Sequence, residues 1–167
     1  MIAAMEIAAP LALHRATVRP DWLDVNDHMN VAYYVLAFDH ATDALFEYLD
    51  LGRRYIDHEN RSLFALESHV TYQRELRLGD DFHITTQLLD ADAKRLHFFH
   101  RMIRDDDGEL AATSEWIDIH VDMAARRAAP LPERAVALLD RIREAHAGLG
   151  VPPEVGRVIG LKKRVRK

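Results

Sequence analysis

The run Trp22-Leu23-Asp24-Val25-Asn26-Asp27-His28-Met29-Asn30 gathers carboxylates, an imidazole and amides into one short segment, and the apolar run from Val31 to Phe38 follows at once. A polar segment feeding directly into a helix sets reactive side chains beside a helix N-terminus. There backbone N–H groups point outward without acceptors and the helix dipole favours negative charge. Such a layout suits chemistry on a carbonyl: a carboxylate to attack the carbon or activate water, and an N–H donor to polarise the oxygen.

Those residues need a rigid base. Val31, Tyr34, Val35, Phe38, Ala41, Leu45, Tyr48 and Leu49 recur at helical spacing, Asn30 is a fitting N-cap and Gly52 a fitting stop, which predicts one helix over 30–51. Its first two turns are apolar on every side, the pattern of a helix enclosed by protein. Leu13 to Val18 reads as a first strand, closed by Pro20, whose ring cannot donate to a ladder. Beyond a polar connection from Arg53 to Arg61, period-two alternation predicts strands from Phe64 to Leu76 and, past the turn Gly79-Asp80-Asp81, from Phe82 to Leu88. Leu96 to Ile103 and Leu110 to Val121 make a further pair around the hairpin turn Asp105-Asp106-Asp107-Gly108. Pro130 and Pro132 open a terminal helix through His146, with Val136, Leu139 and Ile142 on one stripe.

At 167 residues and 49% hydrophobic content the chain fits one domain with a real core, about 14–125, followed by the terminal helix and a basic tail over 130–167. A charged fraction of 29% argues against a membrane protein or a disordered chain. The net charge of −5 argues against nucleic acid as a partner, although Lys162, Lys163, Arg164, Arg166 and Lys167 form a local basic patch. No cysteine is present, which excludes disulfides, thiolate metal sites and a cysteine nucleophile and is compatible with a reducing compartment. The stretch from Met1 to Leu13 has no basic region ahead of its apolar part and lacks the length of a membrane span, so a cytoplasmic protein is expected.

The predicted order is a strand, a long helix, four antiparallel strands and a short terminal helix, an α+β class. A helix apolar most of the way round needs a sheet wrapped about it, and one curved sheet of about five strands is large enough. In this order, and in the string Asp24-Val25-Asn26-Asp27-His28-Met29-Asn30, the chain resembles the hotdog-fold acyl-CoA thioesterases of the 4-hydroxybenzoyl-CoA thioesterase type, whose signature is Asp-x-x-Gly-His-x-Asn. The likeness continues through Tyr34 and Phe38-Asp39. Pro20-Asp21-Trp22-Leu23-Asp24, Asn30-Val31-Ala32-Tyr33-Tyr34 and Asp39-His40-Ala41-Thr42-Asp43-Ala44 are most similar to the thioesterases associated with carnitine breakdown. Those are proposed to hydrolyse betainyl-CoA, and some are fused to a carnitine dehydrogenase.

The resemblance implies a hotdog fold, a five-stranded curved antiparallel sheet around one long central helix. It also implies hydrolysis of a small acyl-CoA thioester, with no cofactor beyond the CoA carried by the substrate. Asp24 matches the family's catalytic carboxylate, which either attacks the thioester to give a mixed anhydride or activates water; otherwise it caps the loop. His28, Met29 and Asn30 fall at the helix N-terminus, where a backbone N–H would polarise the thioester carbonyl. The His28 imidazole either orients Asp24 or the leaving group, or serves the loop's structure. Asp39 matches an acidic position of the family and is a second catalytic candidate against a structural role, while Asp43 reads as structural or exposed.

Asp27 stands where the family most often has glycine, and aspartate is one of the few other residues that visits the left-handed region at modest cost. Its carboxylate, if close to Asp24, would raise a pKa of the pair and attract a cationic acyl group. Trp22 is the first choice for holding a trimethylammonium group on a ring face. For Tyr33, Tyr34, Tyr72 and Trp116 core packing is the stronger explanation.

Ten histidines invite a metal. Asp24, Asn26 and His28 lack the glycine and terminal glutamate of a calcium loop, however, and His97 and His100 point to opposite faces of one strand. No His-Glu-x-x-His pattern exists, so no metal is expected. The resemblance implies a homodimer or homotetramer with active sites at the interface, and long half-apolar strands need a covered edge. Arg74, Arg77 and the tail from Lys162 to Lys167 are candidates for the CoA phosphates, with solvated surface charge the plainer role. Two other functions fit the pattern: a hotdog hydratase or dehydratase using His28 and a carboxylate as an acid/base pair, and a non-catalytic acyl-thioester-binding module.

Overall fold

The computed structural model describes residues 6–161; positions 1–5 of the N-terminal stretch and the basic tail at 162–167 lie outside them. Strand β1 (Leu11–Thr17) enters first, and Pro20–Trp22 then form a single 3-10 turn, so the proline just beyond the strand also begins the approach to the polar loop. Helix α1 (Val31–Tyr48) starts directly after its cap Asn30. It buries Tyr34, Ala37, Phe38, Ala41, Thr42 and Leu45, spaced to make one stripe.

Helix α2 (Arg53–Glu59) occupies what the sequence presents as a plain polar connection. Tyr55 is its buried residue, so no apolar stripe announces it, and the Glu47 carboxylate starts it by accepting the Arg53 N–H at 2.7 Å.

Strands β2 (Arg61–Tyr72), β3 (Asp81–Ala91), β4 (Arg95–Arg104) and β5 (Leu110–Asp122) follow. With β1 they form one antiparallel sheet in the order β1-β3-β4-β5-β2, extended by the two-residue β6 (Arg127–Ala128) beside β5. The hairpin expected at 105–108 joins β4 to β5, with Gly108 at φ +71°. β2 stops at Tyr72 rather than Leu76 because the N–H groups of Gln73 and Arg74 both turn to the Ala111 carbonyl and Leu76 folds into the core. Helix α3 (Glu133–His146) buries Ala135, Leu139, Ile142 and His146. Val136, expected on that stripe, lies at its margin because the stripe runs through Ala135.

Phe82, Ile84 and Leu88 of β3, Leu96, Phe98 and Met102 of β4 and Trp116 of β5 join the buried face of α1 in one core. His100 sits in that core, fully buried, with Nε2 3.0 Å from Thr42 Oγ1 and Nδ1 2.9 Å from Thr86 Oγ1. The Thr42 hydroxyl donates to Phe38 O at 3.0 Å, so the ring donates from Nε2 and accepts at Nδ1. Burial pushes the His100 pKa down to about 3, which keeps the ring neutral.

α1 packs chiefly over β1, β3 and β4. The β5–β2 flank is the less covered one, and residues 64–68 of β2 are exposed in succession around a bulge between Ala65 and Glu67. Phe64 and Leu66 there stay 50% and 56% exposed, and α1 leaves Val31 60% exposed with Val35 and Leu36 half-covered. One chain therefore does not supply the enclosure expected from the all-round apolar turns of α1. No helix among the described residues is long and apolar enough to cross a membrane.

Candidate active site

Asp24 opens a tight loop closed by its own backbone. Its N–H donates to His28 O at 2.8 Å, the Asp27 N–H donates to Asp24 O at 3.2 Å, and Leu23 pairs with Met29 as an isolated bridge. Asp27 sits at φ +58°, the left-handed conformation that glycine would adopt freely and that aspartate adopts at modest cost. Inside the loop, Asp24 Oδ1 accepts the Asn26 N–H at 2.8 Å and the His28 N–H at 3.4 Å. The Asn26 N–H foremost, with the His28 N–H and the nearby imidazole adding to it, holds the Asp24 carboxyl below its ordinary value, so it is anionic at neutral pH. A carboxylate raised by Asp27 is not what this loop produces, because the backbone donors dominate and Asp27 is exposed to solvent.

Asn30 caps α1, its Oδ1 accepting the Ala32 N–H at 3.0 Å and its backbone O the Tyr33 N–H at 2.9 Å. That engagement turns its side chain toward the helix rather than toward a substrate. The N–H groups of His28, Met29 and Asn30, expected to polarise a carbonyl, go instead to Asp24 Oδ1, to Leu76 O at 2.7 Å and to Trp22 O at 2.9 Å. They fasten the loop to its surroundings and are consumed in doing so. Among the described residues the Val31 N–H is the first-turn donor of α1 left without an acceptor, and it lies at the solvent-exposed start of the helix.

Met29 and Tyr34, candidates for contact with the substrate through a backbone N–H and a ring face, are each 3% exposed and hold the loop from below. The Tyr34 hydroxyl accepts the Leu76 N–H at 2.9 Å and its ring meets Tyr72 edge-on at 5.4 Å. Trp22 stacks on Tyr33 at 5.5 Å, and the Arg19 guanidinium lies over the Trp22 ring at 4.9 Å. This corrects the expectation that Trp22 holds a trimethylammonium group, since its ring is already engaged and a resident cation repels a second one.

Asp39 lies on α1 about 12 Å along the helix axis from Val31, given 1.5 Å per residue, so one chain does not bring it beside Asp24. It is exposed, as is Asp43, whose pKa is raised by partial burial and then by Asp39. The surprise is Asp118. Its place on β5 among Ile117, Ile119 and Val121 suggests a solvent-facing acid, yet it is 2% exposed, paired in register with Leu96 and Ala65. Burial, with Asp39 adding to it, pushes its pKa up to about 7. The sequence signal for it was parity: Asp118 shares the face of Ala112, Trp116 and His120, all buried, whereas the isoleucines lie on the other face.

Arg74 and Arg77, candidates for CoA phosphates, pair at the surface with Glu109 at 3.6 Å and Glu75 at 3.1 Å. Among the described residues no group of three or more histidines and carboxylates is placed to hold a metal ion.

Comparison with known proteins places this geometry. The model of the thioesterase-like superfamily matches residues 18–139. The chain is 39% identical over 151 residues to the betainyl-CoA thioesterase of Pseudomonas aeruginosa, covering 90% of this chain and 95% of that one. It is 34% identical to the L-carnitine dehydrogenase/betainyl-CoA thioesterase of Rhizobium meliloti, of which it spans 32%. Among solved structures, a Staphylococcus aureus protein in complex with CoA superposes with a TM-score of 0.86 at 28% identity, covering 94% of this chain and 99% of that one. The curved sheet with its central helix is thus the hotdog fold, and the chain belongs to the thioesterase-like superfamily as a thioester hydrolase.

Proposed function

We propose that this protein hydrolyses betainyl-CoA to betaine and free CoA. The observation that carries this is the ionised Asp24, held in a closed loop directly before the helix whose Val31 N–H is left to donate. It is supported by 39% identity to a betainyl-CoA thioesterase along nearly the whole of both chains.

Asp24 acts at the thioester carbon, either forming a mixed anhydride that water then cleaves or taking a proton from the attacking water. In both routes the C–S bond breaks and the thiolate leaves with CoA. The Val31 N–H, backed by the dipole of α1, stabilises the oxyanion, a contribution typically near 2.7–4 kcal/mol for one such donor. His28 stands beside Asp24, Asp27 shapes the loop and adds negative charge at its surface, and Trp22, Tyr33, Met29 and Tyr34 hold the loop in place. Two copies join at the bare β2 edge, covering Phe64, Leu66 and the exposed start of α1 and setting Asp24 of one protomer against the acyl pocket of its partner.

A thiol-release assay over a panel of acyl-CoAs tests the reading: fastest CoA release from betainyl-CoA supports it, and release from neutral acyl-CoAs with none from betainyl-CoA overturns it.

A further inference from the structure

Three successive inward positions of β5 carry buried polar atoms without a hydrogen-bond partner among the described residues: Ser114 Oγ, Trp116 Nε1 and Asp118 Oδ1. Their residues are 0%, 7% and 2% exposed. Buried polar atoms are normally paired, and an unpaired carboxylate oxygen is among the costliest exceptions. A row of three along one strand is therefore a feature that needs a physical account.

The surroundings supply one. Asp118 is flanked in register by the apolar Leu96 and the small, exposed Ala65, beside the sparsely covered β5–β2 flank. From α1 the exposed Asp39 acts electrostatically on Asp118. Among the described residues no cation pairs with Asp118, and an aromatic ring, Trp116, stacked on Phe98 at 6.4 Å, stands two residues away on the same face. Arginine, lysine or a metal would complete such a site with donors. A trimethylammonium group would pair with the Asp118 carboxylate without them: it is a permanent cation with an apolar shell, suited to a carboxylate beside an indole away from water.

The geometry points to Asp118, with Trp116 beside it on the inward face of β5, as the subsite that holds the quaternary ammonium of the acyl group. This rests on the betainyl-CoA reading and assigns its specificity to the sheet rather than to the loop. Asp118 touches neither the thioester carbon nor the leaving sulfur. Its work is to make a cation preferable to a neutral group of the same shape.

The test compares betainyl-CoA with tert-butylacetyl-CoA, in which a carbon replaces the nitrogen and removes only the charge. In Asp118→Asn, kcat/KM for betainyl-CoA falls on the order of tenfold or more while that for tert-butylacetyl-CoA stays within about twofold. Equal loss for both substrates, or no loss for either, overturns the subsite while leaving the thioesterase reading intact. Absence of betainyl-CoA hydrolysis by the wild type overturns both. If Asp118→Asn does not fold, the wild type decides. Tetramethylammonium chloride should raise the apparent KM for betainyl-CoA where sodium chloride of equal ionic strength does not, and identical effects of the two salts overturn the proposal.

Discussion

The hydroxyl of Tyr34 accepts the backbone N–H of Leu76 at 2.9 Å, tying the first turn of α1 to the segment that leaves β2. Leu76 in turn accepts the Met29 N–H, so this one residue joins the helix to the Asp24 loop. Tyr34→Phe removes the acceptor and leaves the N–H of a fully buried residue unpaired. A loss of about 1–3 kcal/mol in unfolding free energy is expected, read from urea denaturation, together with a lower kcat from a loosened Asp24 loop. Unchanged stability would show that water or another group replaces the hydroxyl.

The bare β2 edge predicts self-association. Leu66, 56% exposed on the edge strand β2, is expected to lie in the interface. Light scattering on the wild type should give a dimer or tetramer, and Leu66→Arg should shift it toward monomer with loss of activity if, as proposed, Asp24 of one copy works against its partner. A wild type that is monomeric and fully active would contradict this assembly.

His100 predicts the response to acid. Its folded pKa of about 3 lies below the ordinary 6.5, so the unfolded chain binds the proton more readily. The stability it contributes is full above pH 6.5 and is lost as pH falls toward 3. At about 1.4 kcal/mol per pH unit, going from pH 6.5 to 5 costs about 2 kcal/mol from this group alone. Burial lowers His14 and His146 in the same sense. Urea midpoints at pH 7 and pH 5 measure the loss. In His100→Leu the chain is weaker at pH 7, with Thr42 and Thr86 deprived of the ring, but the difference between the two pH values shrinks.

How much was legible depends on whether a residue's role is local. The cap at Asn30, the hairpin at 105–108 and the left-handed Asp27 are written in a few adjacent residues, and the structure has them where the sequence predicts. Helix α2 was hidden because a single buried tyrosine carries it and a carboxylate from α1 starts it. The fate of the His28, Met29 and Asn30 N–H groups depends on Leu76 and Trp22 as well as on Asp24, and Trp22 is occupied by Arg19 and Tyr33, pairings that spacing alone does not reveal. The burial of Asp118 is hidden from the sequence for the same reason: which face of β5 is buried is decided by what covers it.

The central claim is that the charge on Asp24 performs the hydrolysis. Asp24→Asn separates that charge from the loop it closes, since the amide oxygen can still accept the N–H groups of Asn26 and His28. The decisive measurement is CoA thiol release from betainyl-CoA by wild type and Asp24→Asn, each checked for its fold by circular dichroism. A fall on the order of a hundredfold or more in the folded variant is predicted. Hydrolysis at the wild-type rate by folded Asp24→Asn would contradict the account.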